Sequence, residues 1–226
     1  MSTLLKNATI IDATSPYHNQ KKDILISDGK LEKIANSIPN KDNYTVIELE
    51  NLYVSCGWFD TSVSLGEPGF EERETIKHGL QVAAKSGFTS IALNSNTNPV
   101  IDSKSDVEFL ISKAFNSATK LYPIAALTKD SDGLEISEMY DMQQSGAIAF
   151  GDYNKPIEND NLMKIALLYV QNFDGLVLSF PKNNSIAGEG IANEGINSTK
   201  LGLKGNPALA EHIQISRDLF LLDYTG

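Results

Sequence analysis

The sequence predicts an α/β protein in which a small β-sheet unit over residues 1–55 precedes a series of parallel β/α units over residues 56–226. Two observations support this fold class. Short strand-like segments separated by turn residues fill residues 1–55, and strand-like and helix-like segments alternate after that point. The chain has 226 residues, which is enough to bury a sizeable core as one large domain or two small ones.

The N-terminal unit contains four predicted strands. The second and third strands, at residues 23–27 and 30–35, flank Asp28-Gly29, a strong two-residue hairpin signal. Residues 44–49 (YTVIEL) alternate with period two, which predicts a half-buried strand. Together with a strand at residues 4–11, these segments predict a small antiparallel sheet.

The second unit shows the alternation typical of a parallel sheet. From the residues alone, both an open doubly wound sheet and a (β/α)8 barrel fit this pattern. A complete barrel takes about 250 residues and eight strands, so a barrel would be incomplete here, with about five strands and an exposed strand edge. The predicted strands are residues 58–65, 88–93, 120–127, 147–150 and 176–180, and the helices are residues 75–85, 103–117, 136–144, 161–171 and 207–223.

The composition excludes several classes of function. The net charge of −10 opposes binding to nucleic acid or to an anionic membrane surface. No apolar run approaches the ~20 residues of a membrane span, and the N-terminus lacks the layout of a signal peptide. The single cysteine, Cys56, excludes an internal disulfide framework, so we expect a cytoplasmic protein.

Five ordered motifs carry a resemblance to a known family. The first motif is GWFDTSVSLGEPG at residues 57–69, and the sequence is similar there to the dihydroorotase family of the amidohydrolase superfamily. In that family the segment reads Gly-Phe-Ile-Asp-x-His-x-His-Leu-Arg-Glu-Pro-Gly. The other motifs are GFTS (87–90), NTNPVID (96–102), GAIAF (146–150) and the segment from NEG to LGLKGNPALAE (193–211).

The resemblance covers essentially the whole chain and implies a fold and an activity. The fold is a (β/α)8 TIM-type barrel, with about five of the eight strands present and a small N-terminal β-sandwich part. The activity is the metal-dependent opening or closing of the dihydroorotate ring in pyrimidine biosynthesis. The family holds Zn²⁺ at the C-terminal mouth of the barrel through histidines, and an Arg and an Asn hold the substrate carboxylate. The family is also commonly dimeric or larger, so a homo-oligomer is expected.

The chain departs from the family at the positions that carry this chemistry. Ser62 and Ser64 stand where the two histidines of the first barrel strand are expected, and Gly66 stands at the position of the Arg. Phe180 matches the histidine of the fifth strand, and Asp152 is a candidate for the carboxylate after the fourth strand. Of the substrate-binding positions, Asn96 is kept.

Serine hydroxyls are hard, weakly acidic oxygens, so they do not replace imidazole as zinc ligands at neutral pH. Loss of the Arg separately weakens binding of an anionic substrate. We therefore predict no bound metal or other cofactor and assign no catalytic residue. The three histidines, His18, His78 and His212, are far apart in sequence and are expected to be ordinary non-ligand residues.

Three hypotheses follow from these matches and departures. The first is a catalytically inactive dihydroorotase-like protein that serves as a scaffold for aspartate transcarbamoylase, as some inactive family members do. The second is an active cyclic-amide hydrolase whose zinc site is rearranged or completed by a partner chain. The third is a protein that binds or senses a small metabolite through Asn96, Ser62 and Ser64.

Overall fold

The computed structural model describes residues 2–40 and 43–226. The contacts between residues divide the chain into two compact units, Met1–Gly57 and Trp58–Gly226. Each unit has its own buried apolar clusters, because Leu4, Ala8 and Ile24 are buried in the first and Ile91 and Phe150 are buried in the second.

The described residues of the N-terminal unit form one mixed five-stranded sheet. The strands are β1 (Ser2–Ile11), β2 (Lys21–Ser27), β3 (Lys30–Ala35), β4 (Thr45–Glu48) and β5 (Tyr53–Ser55). β1 pairs antiparallel with β2 along one edge and parallel with both β4 and β5 along the other. The predicted hairpin is confirmed: β2 and β3 pair from Ser27 and Lys30, and both turn residues, Asp28 and Gly29, have positive φ.

Two predictions for this unit are wrong. The sheet is not purely antiparallel, because β4 and β5 join β1 in parallel. All four residues of β4 are exposed, although their alternation predicted a half-buried strand. Alternation gives the directions in which side chains point, but it does not say whether another layer covers them.

A buried carboxylate joins three segments of the N-terminal unit. Asp23 accepts hydrogen bonds from the backbone N–H of Asn7 (3.0 Å) and of Ile38 (2.8 Å), and it forms an ion pair with Lys6. Burial by itself raises the pKa of Asp23, but the hydrogen bonds from these three residues outweigh it and hold the pKa below its ordinary value of 3.8.

The second unit is built on a parallel sheet with strand order β6-β7-β8-β9. Helices follow the strands, so the predicted alternation is confirmed as part of a barrel of parallel β/α units. The strands are β6 (Trp58–Val63), β7 (Phe88–Leu93), β8 (Lys120–Ala125) and β9 (Ala149–Phe150), followed by the short pair β10 (Ala192–Asn193) and β11 (Gly205–Asn206). The helices are α1 (Ile76–Lys85), α2 (Lys104–Lys113), α3 (Met139–Gln144), α4 (Asp160–Val170), α5 (Asn184–Ala187), α6 (Ile196–Lys200) and α7 (Leu209–Thr225), with 3₁₀ turns at Lys129–Ser131 and Gln171–Phe173.

The predicted fifth strand, residues 176–180, is reduced to one parallel bridge between Phe150 and Val177. Two backbone hydrogen bonds hold it: Phe150 N–H donates to the Leu176 carbonyl (2.9 Å), and Leu178 N–H donates to the Phe150 carbonyl (2.8 Å). The segment has the predicted direction and position. It does not form a full strand because its neighbour β9 is only two residues long.

Polar caps and apolar faces fix the helices on this sheet. The Thr75 and Asn159 side chains accept hydrogen bonds from the first turns of α1 and α4. Leu80 of α1 and Leu110 of α2 are fully buried against strand residues such as Leu93, and each such burial stabilises the fold by about 1.5–3 kcal/mol. Within residues 2–40 and 43–226, every helix is too short or too polar to cross a membrane.

Candidate functional site

The predicted site residues of the first strand lie at the carboxyl edge of the parallel sheet. Ser62 is near the end of β6 and Ser64 follows it, while Asn94 directly follows β7 and Asn96 lies in the loop just after it. Because neighbouring parallel strands end at the same edge, side chains from both strand ends meet there. β6 and β7 are paired up to Val63 and Leu93, which sets the four polar side chains next to each other.

Hydrogen bonds join these four residues into one network. The Asn94 amide Nδ2 donates to Ser62 Oγ at 3.1 Å and lies 3.5 Å from Ser64 Oγ. Ser64 Oγ in turn donates to Asn96 Oδ1 at 3.2 Å. Asn94 is buried, whereas Ser62 and Ser64 are exposed, so the buried amide holds two accessible hydroxyls in place.

Ser62 and Phe180 share the wall of a cavity at this edge, which we call the mouth cavity. Its volume is about 340 Å³. Ser64 and Asn96 are not part of its lining; Ser64 is linked to the lining residue Asn94, and Asn96 is bonded to Ser64. Its lining residues are Ser62, Asn94, Ile124, Gly151, Tyr153, Asn154, Leu178, Ser179 and Phe180.

Asp152 lies just after β9, and its buried carboxylate accepts hydrogen bonds from another loop of the protein. Oδ1 accepts from the backbone N–H of Leu127 (2.9 Å) and of Thr128 (3.0 Å), and Oδ2 accepts from the Thr128 hydroxyl. Burial raises the pKa of the Asp152 carboxyl above its ordinary value, against these hydrogen bonds, which lower it. The structure therefore places Asp152 as the anchor of the loop after β8 and not in the network of Ser62 and Ser64.

Gly66 is buried inside the loop that follows β6, and its backbone leaves no room for a side chain. A Cβ at this position would lie 1.9 Å from the Phe70 carbonyl oxygen and 3.0 Å from that of Glu74. The Gly66 N–H donates to the Glu74 carbonyl (2.9 Å), and its carbonyl accepts from Phe70 N–H (2.7 Å). The loop is therefore closed at the position where the sequence comparison expected an Arg to reach substrate.

Sequence reasoning missed Asn94, the residue that connects the network. The signal was present, because Asn94 immediately follows the buried strand FTSIAL, just as Ser64 immediately follows β6. The family motif begins two residues later, at Asn96, so it does not include Asn94. Glu67 was also missed: it accepts from the Ile76 N–H at the start of α1 (3.0 Å) and pairs with Lys113 of α2 (2.7 Å), which fixes the loop around Gly66.

The sequence model of the Dihydro-orotase-like family matches residues 52–226. The chain belongs to this family. The match includes the whole parallel sheet, the mouth cavity and the hydrogen-bonded network of Ser62, Ser64, Asn94 and Asn96, so the site lies in the part of the chain that defines the family.

Curated relatives of this dihydroorotase-like chain carry the family name. It is 39% identical over 226 residues to the dihydroorotase of Ruminiclostridium cellulolyticum, covering 100% of the chain and 52% of that protein. It is 40% identical over 223 residues to the dihydroorotase of Acetivibrio thermocellus, covering 98% of the chain and 52% of that protein. The chain thus spans about half the length of the curated relatives it matches.

Solved structures support the fold of the dihydroorotase-like chain. The L-hydantoinase (dihydropyrimidinase) of Arthrobacter aurescens matches with a TM-score of 0.77 at 17% identity, over 99% of this chain and 51% of that one. A dihydroorotase crystal structure matches with a TM-score of 0.59 at 11% identity, over 97% of this chain and 62% of that one. At these identities the likeness concerns the fold alone, and it agrees with a partial barrel.

The donor atoms at the mouth do not fit the zinc that the dihydroorotase resemblance implies. Ser62 and Ser64 offer neutral hydroxyls that are bonded to asparagine amides, Phe180 offers no donor, and both oxygens of Asp152 serve the loop after β8. In the described part of the chain, no three His, Cys, Asp or Glu side chains lie close enough to hold a metal together. We derive no zinc-dependent step from this site.

The three histidines and Cys56 lie away from the network of Ser62 and Ser64 in sequence, and three of these four residues have local partners. His78 is exposed on α1, and its Nδ1 lies 2.7 Å from Glu74 Oε1. In the N-terminal unit, His18 Nδ1 accepts from the Asp12 N–H (3.1 Å), and the exposed Cys56 thiol lies 3.8 Å from Asp12 Oδ2. His212 is an exposed residue of α7. These placements agree with ordinary structural or surface roles for all four residues.

Proposed function

We propose that this chain is a dihydroorotase-like protein of pyrimidine biosynthesis that does not catalyse zinc-dependent ring hydrolysis. The observation that carries the proposal is the pair Ser62 and Ser64, which stands where the family has His-x-His and is hydrogen-bonded to Asn94 and Asn96. Hydroxyls held in this way supply neither the charge nor the softness that a zinc ligand requires.

A second feature supports the same proposal independently. The family uses an Arg to neutralise the substrate carboxylate, and here the matching residue is Gly66, whose surroundings exclude any side chain. A bidentate Arg–carboxylate contact is among the stronger polar interactions in a binding site. Loss of the metal ligands and of the anion-binding residue removes two separate parts of the family's mechanism.

The decisive test combines metal analysis with a ring-opening assay on purified protein supplied with zinc. We expect less than one-tenth of an equivalent of zinc per chain after dialysis, and no turnover of dihydroorotate above background. The dihydroorotase of Ruminiclostridium cellulolyticum, assayed in parallel, is the positive control. Stoichiometric zinc together with measurable turnover would refute the proposal and favour the alternative of an active hydrolase with a rearranged or partner-completed site.

As the biological role we propose a cytoplasmic homo-oligomer that serves as a scaffold for aspartate transcarbamoylase. The basis is the resemblance to inactive family members with that role, together with a well-packed β/α core in the absence of fitting metal ligands. Light scattering of the two purified proteins, alone and mixed at micromolar concentration, tests this. A mixture whose mass is the sum of independent species rules out the scaffold role.

A further inference from the structure

A second cavity of the parallel-sheet unit, which we call the lysine cavity, is bordered by α1, by the end of α2 and by the segment that leads from α2 to β8. Its volume is about 530 Å³. Three lysines line it, Lys77, Lys85 and Lys113, and none of the described residues in its lining is acidic. Its lining has no residue in common with that of the mouth cavity, so it is a separate place on the molecule.

The charge of this lining departs from the composition of the chain. The chain has 29 acidic and 19 basic residues, so a cavity with three lysines and no acidic lining residue differs in sign from the protein as a whole. At physiological salt, exposed charges more than about 8 Å apart are largely screened from each other. A small anion in the cavity therefore responds mainly to the lysines and only weakly to the net charge.

Lys113 is already balanced by acidic groups beside the cavity. Its Nζ lies 2.7 Å from Glu67 Oε1, in the loop after β6. The pKa of Glu71 is lowered by hydrogen bonds from backbone N–H groups and, to a smaller extent, by the charge of Lys113. Lys113 therefore closes the cavity wall and contributes little net charge to it.

The other two lysines are available to an anion. Within residues 2–40 and 43–226, neither Lys77 nor Lys85 forms an ion pair, and the nearby Glu74 carboxylate lies 2.7 Å from His78 Nδ1. Both lysines lie in α1, four residues before and after Gln81, so the three side chains follow one stripe of the helix. The stripe is about 12 Å long, and it places a neutral amide between two ammonium groups.

The lining also presents a flat apolar surface. The Phe115 side chain is 78% exposed and borders the cavity, and Leu80 and Ala84 of α1 add apolar surface. Every nucleic acid base can stack on such a ring, because every base has a π face. The neighbouring Asn116 and Ser117 offer uncharged hydrogen-bonding groups that suit the hydroxyls of a sugar.

We infer that the lysine cavity binds a nucleoside phosphate, with the phosphate groups held by Lys77 and Lys85 and the base stacked on Phe115. Lysine binds phosphate as a point charge, and the volume of the cavity falls in the range of small-molecule sites. The inference goes beyond the proposed function and does not depend on it, because the two cavities have separate linings.

Titration calorimetry on the purified chain near pH 7 in about 50 mM salt, with EDTA present, tests the inference with three probes: adenosine diphosphate, pyrophosphate and adenosine. We expect adenosine diphosphate to bind at least about fivefold more tightly than either of the others, because it alone engages both the lysines and Phe115. About 300 mM salt should weaken its binding severalfold. The inference is wrong if adenosine diphosphate gives no heat up to about 10 mM, or binds no better than adenosine or pyrophosphate.

Single variants locate the binding. Lys77→Gln and Lys85→Gln should each weaken the binding of adenosine diphosphate about three- to tenfold. The matched control is Lys200→Gln, which removes the same charge from an exposed lysine of α6 outside both linings, and we expect a change of less than about twofold. If the control weakened binding as much as Lys77→Gln does, only the net charge would matter and the inference would be overturned.

Phe115→Ala separates the two halves of the ligand. It should weaken the binding of adenosine diphosphate about three- to tenfold and leave that of pyrophosphate within about twofold, because only the base stacks on the ring. Unchanged binding of adenosine diphosphate would overturn the assignment of the base to Phe115. Zinc content and ring opening are not measured in these titrations, so their failure leaves the proposed function standing, and the failure of the proposed function leaves this inference standing.

Discussion

Among single residues, Asn94 connects the polar side chains at the mouth. One buried amide orients two serine hydroxyls from the neighbouring strand end, so the serines present fixed hydrogen-bonding groups instead of freely rotating ones. Sequence comparison identified the two serines because a motif covers them. It did not identify Asn94, because the partner of a hydroxyl depends on strand pairing that no local pattern specifies.

The close packing around Gly66 predicts that even the smallest side chain at this position, which is an Arg in the family, destabilises the loop. Gly66→Ala should destabilise the fold by about 1–3 kcal/mol, because the added Cβ overlaps the Phe70 carbonyl and the loop must shift. The matched control is Gly195→Ala, where nothing lies within 4 Å of the added Cβ, and we expect a change within about 0.5 kcal/mol. Chemical denaturation measures both, and an unchanged midpoint for Gly66→Ala contradicts the closed loop described here.

Asp152 gives a second prediction at this scale. Asp152→Ala leaves the buried N–H groups of Leu127 and Thr128 without their acceptor, so we expect a loss of about 2–4 kcal/mol in the free energy of unfolding. Asp152→Asn keeps an acceptor oxygen and should lose about 1 kcal/mol or less. If Asp152→Ala were as stable as the wild type, the carboxylate would not anchor this loop, and a role in ligand binding would need to be reconsidered.

Among the elements, the N-terminal sheet depends on the buried contact between β1 and β2 through Asp23. The hydrogen bonds from Lys6, Asn7 and Ile38 are made to the ionised carboxylate, which is why the pKa of Asp23 is depressed when the protein is folded. A group with a depressed folded pKa contributes stability above its unfolded pKa and loses it as the pH falls through the folded pKa.

The pH dependence of stability follows from this sign. Stability supplied by Asp23 should be complete above about pH 5 and should decrease as the pH falls through 3.8 and below. Asp23→Asn should flatten that part of the profile and lower stability at pH 7 by about 1.5–3 kcal/mol. Urea denaturation between pH 3 and 7 measures both variants, and parallel profiles for wild type and Asp23→Asn would show that Asp23 does not titrate as described.

Some strands could be predicted from the sequence, but the pairing and the length of others could not. The hairpin at Asp28-Gly29 and the strand Phe88–Leu93 were predictable because a turn signal and a continuous apolar run are local properties. The parallel attachment of β4 and β5 was not, because it depends on which edge of β1 is free. Residues 176–180 resemble a strand in composition, but strand length is set by the partner, and β9 offers only two residues.

For the whole molecule, charge is the most general property that sequence establishes. The net charge of −10 and the isoelectric point near 4.8 do not depend on how the chain folds. The candidate site was harder to predict from the sequence. The family resemblance placed Ser62 and Phe180 at the same end of the barrel. The absence of charged side chains from the cavity lining, however, depends on how residues from β6 to Phe180 come together in space.

The charge leads to a prediction about partners. At about 50 mM salt, where electrostatic attraction is strongest, we expect no change in the fluorescence anisotropy of a labelled DNA duplex up to high micromolar protein. A histone-like basic protein serves as the positive control for the probe. Binding that weakens steeply with added salt would reveal a basic surface patch that the net charge conceals.

The position of β1 in its sheet also bears on how the protein folds during synthesis. β1 is made first, yet it lies between β2 on one edge and β4 and β5 on the other. Its second edge therefore stays unpaired until residues 45–55 have left the ribosome, and these late contacts span about 40 residues of chain. Non-local pairing of this kind is slow, so the nascent chain exposes an open β edge that a chaperone can recognise.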